Sequence, residues 1–75
     1  MIVVDVESSG VDPHKNSLLS IGALDLSNPT NQFYEECCVW DGAHIEDEAL
    51  AINGFTREKA TAITAQNEGD LIHHF

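Results

Sequence analysis

Positive charge is scarce in this chain: three Lys and Arg stand against thirteen Asp and Glu, for a formal net charge of −10 over 75 residues. Such a surface offers no electrostatic footprint for a phosphate backbone or an anionic membrane, so any polyanionic partner must be met through bound cations. Long apolar runs are missing too. None approaches the roughly 20 residues of a membrane span, and the N-terminus lacks the basic start and small-residue cleavage site of a signal peptide. The two cysteines, Cys37 and Cys38, are adjacent, so in a strand they point to opposite faces and provide no disulfide framework. A soluble, cytoplasmic protein with no membrane partner is expected. Disorder is disfavoured, because hydrophobic residues make up 43% of the chain and are spread along it.

Met1-Ile2-Val3-Val4-Asp5-Val6 is β-branched and nearly uniformly apolar, the pattern of a strand buried on both faces. Ser8 to Asn16 supplies turn formers. Ser17 to Leu26 reads as a second strand, in which Gly22 signals a close backbone approach. Ser27-Asn28-Pro29-Thr30-Asn31 is a turn, and Gln32 to Trp40 reads as a third strand. Short connections between consecutive strands predict an antiparallel meander.

The period changes at Ile45. Ile45, Ala49 and Ile52 fall at helical spacing, Glu46, Asp47 and Glu48 sit at the positive end, and Asn53-Gly54 supplies a stop. Thr56 is an N-cap for a further turn over Arg57 to Ala60, and a last helix begins near Glu68. This arrangement covers one sheet face and leaves the other, with its strand edge, open to self-association or to a missing C-terminal segment. The apolar ending Asp70-Leu71-Ile72-His73-His74-Phe75 reads as a domain cut short.

The residues best suited to chemistry are Asp5 and Glu7. At i and i+2 of a strand they share a face and lie about 6.5 to 7 Å apart along it. Asp5 stands among Ile2, Val3, Val4 and Val6, where a buried charge needs a cation or donors beside it. Mg²⁺ and Mn²⁺ choose oxygen ligands, and two-metal sites clamp attacking and leaving oxygens. Taken alone, Asp-x-Glu in an acidic protein more often describes two solvated acids at a strand end. A calcium loop over Asp5 to Asn16 fails, because Asn16 occupies the position that needs a bidentate Glu and Pro13 interrupts the loop. Other candidates read more simply as structure: His73 and His74 as a solvated helix end, Cys37 and Cys38 as one buried and one exposed thiol. Phe33, Tyr34 and Trp40 read as packing.

Three ordered segments resemble the DEDD, or DnaQ-like, 3′-to-5′ exonucleases. Val3-Val4-Asp5-Val6-Glu7-Ser8-Ser9-Gly10-Val11-Asp12-Pro13 is similar to the first exonuclease motif, and Leu18-Leu19-Ser20-Ile21-Gly22-Ala23-Leu24 to the second strand, with Ser20 where Glu is frequent. Ala49-Leu50-Ala51-Ile52-Asn53-Gly54-Phe55-Thr56 is similar to the helix and turn further on. The resemblance implies an α/β, ribonuclease H-like fold whose N-terminal part is a three-stranded antiparallel meander followed by short helices. Residues 1–75 would form the N-terminal part of one exonuclease domain. It further implies catalytic and metal-ligating roles for Asp5 and Glu7, and a two-metal Mg²⁺ or Mn²⁺ site. Ser8, Ser9 and Gly10 would lie near the 3′ end of a single-stranded nucleic acid, DNA or RNA, whose terminal phosphodiester is hydrolysed. The family's third and fourth acidic ligands and its general base have no counterpart among these residues, so the isolated chain is expected to lack turnover. The alternative is a small acidic binding module with a weak divalent-cation site and no catalysis.

Overall fold

The computed structural model describes all residues, Met1 to Phe75. Three strands, β1 (Ile2–Ser8), β2 (Leu18–Asp25) and β3 (Gln32–Glu36), form one sheet in the order β1-β2-β3 with both pairs antiparallel. The expected meander is therefore present, and with the helices it makes a mixed α/β chain. Asp25 closes the second turn by accepting hydrogen bonds from the Ser27 backbone and hydroxyl at 3.0 and 2.7 Å. These donors hold its carboxyl below the usual carboxylate range.

Helix α1 (Asp47–Asn53) ends at Gly54, whose φ of 78° is the left-handed conformation that glycine adopts without penalty. Helix α2 (Arg57–Ala60) starts at Thr56, whose Oγ1 accepts from the Lys59 N–H at 3.1 Å. Helix α3 (Glu68–His74) is capped by Asn67, whose Oδ1 accepts from the Asp70 N–H at 2.8 Å. Short polar side chains at both N-caps supply acceptors for N–H donors that a helix start leaves unpaired.

One irregularity decides how the helices attach. Glu7 pairs with Ser20 but Ser8 pairs with Leu18, so Leu19 is an extra residue in β2. Such a bulge reverses the side-chain alternation. Leu18 joins the cluster of Ile21, Cys37 and Leu71 under α3, whereas Leu19 joins Leu50, Phe55 and Ala60 from α1, α2 and their connection. Both sheet faces thus carry a small apolar cluster, in place of the single covered face expected from the sequence.

Three further expectations change. Strand β1 was expected to be buried on both faces, yet Ile2, Val3, Val4 and Val6 are all exposed, because β1 is an edge strand and both clusters gather over β2. The third strand stops at Glu36 instead of Trp40: the Cys37 N–H still donates to the Leu19 carbonyl of β2 at 2.8 Å, but Cys38 donates to the Gln66 carbonyl and Val39 to that of Ala60, at 2.9 and 2.8 Å. Helix α1 begins at Asp47 rather than at Ile45, where the helical spacing starts; Ile45 packs against the Leu19 cluster ahead of the helix, Leu50 is its buried residue, and Ile52 is 87% exposed. No helix is long and apolar enough to cross a membrane.

Candidate acidic site at the end of the first strand

Opposed residues of an antiparallel pair share a face. The rows Asp5, Gly22, Tyr34 and Glu7, Ser20, Glu36 therefore lie on one side of the sheet, and Val6, Ile21, Glu35 on the other. The two sequence candidates stand together on the face toward which the bulge turns Leu19. Gly22 leaves room beside Asp5 for the Tyr34 ring, which a β-carbon at residue 22 would meet at an ordinary 3.6 Å. Tyr34 donates its phenolic proton to Glu36 at 2.7 Å, which raises the Tyr34 pKa and lowers that of Glu36.

Asp5 is exposed, and no donor within the protein bonds its carboxylate, so the expected desolvated acid with a donor cluster beside it is not formed. Edge-strand exposure removes the burial that would have demanded one. Glu7 is half-buried and lines an open cleft of about 770 Å³ with Ser8, Gly10, Lys15, Ala49 and Asn53 among its walls. Asp5 lies outside that lining. No three His, Cys, Asp or Glu side chains come together as a set that could hold a metal ion.

The cleft owes its shape to an amide knot that sequence reasoning missed. Ser9 and Asn16 are buried. The Ser9 hydroxyl donates to the His44 carbonyl at 2.7 Å and accepts from the Ser17 N–H at 2.9 Å, so it is engaged inside the protein. Asn16 Nδ2 donates to the same His44 carbonyl at 2.8 Å, and its Oδ1 accepts from the Asp12 N–H at 3.0 Å. Glu46 N–H reaches the Ser9 carbonyl at 2.7 Å. These bonds fasten the loop after β1 to the segment entering α1.

Asn53 fixes the opposite end of that helix: its Nδ2 donates to the Ser8 carbonyl at 3.0 Å and its Oδ1 accepts from the Phe55 N–H at 3.0 Å. The signal for these roles was present only as small amides beside turns, a pattern shared with ordinary capping residues.

Two carboxylates on one strand face are a hard oxygen donor set, which suits a Mg²⁺ or Mn²⁺ ion that retains waters and takes further oxygens from a phosphate. A fuller cage is not built from these residues. Comparison with protein-family models finds no match to the chain, and comparison with curated proteins finds none either.

Proposed function

We propose that this chain carries the first half of the metal site of a 3′-to-5′ exonuclease with a ribonuclease H-like fold, acting on the end of a single-stranded DNA or RNA. The observation that carries the reading is the placement of Asp5 and Glu7 on one face of β1, beside a cleft whose wall includes Glu7, Ser8 and Gly10.

In this reading Asp5 and Glu7 hold the ion. A bound divalent ion supplies charge neutralisation at the phosphate and a water activated at neutral pH. Glu7 faces the cleft, and Asn53 and Asn16 keep the strand end and the loop after it at a fixed separation from α1. Ser8 and Gly10 border the terminal nucleotide, and Ser9 holds their loop from inside. Further acidic ligands and the general base would come from residues other than these.

The test is digestion of a 3′-labelled oligonucleotide, with Mg²⁺ or Mn²⁺, by the product of the open reading frame that encodes this chain. Release of nucleoside monophosphates that is abolished by Asp5→Ala and by Glu7→Ala supports the reading. Activity unchanged by both substitutions overturns it.

A further inference from the structure

The chain has three Lys and Arg residues. Two are committed within the fold. Arg57 donates to Asp47 at 2.7 Å and also to the Ile45 carbonyl, and Lys59 sits 2.9 Å from Glu36. The third, Lys15, makes no ion pair, although Glu7, Asp12, Glu46, Asp47 and Glu48 all border the same cleft.

Its backbone, by contrast, is held at both ends. The Lys15 N–H donates to the Asp12 carbonyl at 3.0 Å, and its own carbonyl accepts from the His44 N–H at 2.6 Å. The next residue, Asn16, is buried in the amide knot described above. A flexible ammonium is thus mounted on a fixed base, at a cleft wall that it shares with Glu7.

We propose that Lys15 is the phosphate-contacting residue of this cleft, binding the backbone of a single-stranded nucleic acid beside the metal-held terminal phosphate. The inference rests on the nuclease reading above and adds to it a residue for which composition gave no hint. Five carboxylates border the cleft, so a polyanion enters it only with bound cations, and Lys15 is the one side chain of the lining that adds positive charge to theirs. A lysine suits this task, since it acts on phosphate as a mobile point charge.

The test is fluorescence anisotropy of a 5′-fluorescein oligothymidylate of eight nucleotides with the 75-residue chain in Ca²⁺, comparing wild type with Lys15→Ala, Lys15→Arg, Lys59→Ala and Asp5→Asn. Lys15→Ala is expected to weaken binding about two- to fivefold, the range of one exposed charge contact. It should also lower the slope of log K against log salt by about 0.7, the value for one phosphate on a single strand. Lys15→Arg should restore both, and Lys59→Ala should change neither. Lys15 is exposed, so both Lys15 variants should keep the wild-type circular dichroism melt.

If Asp5→Asn weakens binding while Lys15→Ala leaves affinity and salt slope unchanged, the Lys15 assignment fails and the nuclease reading stands. If the wild-type chain does not bind the oligonucleotide, the Lys15 assignment fails, and the nuclease reading is decided separately by the digestion described above.

Discussion

The side-chain amide of Asn16 occupies the space that a β-carbon on Gly10 would need: such an atom would lie 2.5 Å from Asn16 Cγ and Nδ2 and 2.6 Å from Oδ1. Glycine at residue 10 is required by packing, since its φ is not in the left-handed region. The same amide bonds Asp12 and His44, so it has little freedom to move aside.

Gly10→Ala is therefore expected to destabilise the chain by about 1–3 kcal/mol, as overpacking does elsewhere. Urea unfolding followed by Trp40 fluorescence measures it. Gly10→Ala combined with Asn16→Ala should show less than the sum of the two single losses, because the clash and the knot involve the same atoms. Additive losses would mean that the two residues do not meet.

Leu50 and Ile52 differ by two residues and by almost their whole exposure, at 7% and 87%. Leu50→Ala should cost about 2–5 kcal/mol through the lost contacts with Leu19, Phe55 and Ala60. Ile52→Ala should change stability by about 0.5 kcal/mol or less. The same pair of denaturation curves checks both values.

Glu68 illustrates what a linear pattern hides. From the sequence it was only the first residue of a helix. In the fold its Oε2 accepts from the Leu18 N–H at 2.7 Å and from the Ser17 hydroxyl at 3.3 Å, so α3 is fastened to the start of β2. Glu68→Ala should destabilise by about 1–3 kcal/mol, because it leaves a half-buried amide unpaired, and Glu68→Gln should retain most of the wild-type stability. Thermal melts of the two variants separate the lost acceptor from the lost charge.

The thiols divide as expected from adjacent strand-like residues. Cys37 is buried and Cys38 half-buried. Burial pushes the Cys37 thiol up to about 12, with smaller contributions from the Glu68 charge and Cys38. Iodoacetamide at pH 8 should therefore place one adduct on the folded chain, at Cys38, and two on the unfolded chain, read by mass spectrometry. An unfolded thiol ionises near about 8.5. Between that value and about 12 the unfolded state binds fewer protons than the folded one, so stability should fall as pH rises through this window. The Cys37 contribution is fully present below it, and Cys37→Ala should remove that part of the slope.

Local signals were legible and compensations between distant segments were not. Thr56 and Gly54 announce helix ends because capping acts within three or four residues. The three strands are readable from β-branched content and the Asn-Pro turn. The exposure of β1 was hidden, because an apolar run has the same composition at an edge as at the centre of a sheet. The Leu19 bulge was hidden as well: Leu18 and Leu19 look interchangeable until one pairs with Ser8 and the other has no partner in β1. At the candidate site the carboxylate pair was visible from its spacing. The knot of Ser9, Asn16 and His44 spans up to 35 residues and has no linear signature.

The most direct measurement of the central claim is a Mn²⁺ titration of the ¹⁵N-labelled chain, followed by paramagnetic broadening of its amide resonances. Joint coordination by Asp5 and Glu7 predicts that broadening begins at residues 5 to 8 and their cross-strand neighbours Ser20 and Gly22, and that Asp5→Asn and Glu7→Gln each abolish it there. Broadening that begins at Glu46, Asp47 and Glu48 and is unchanged in both variants would contradict the claim.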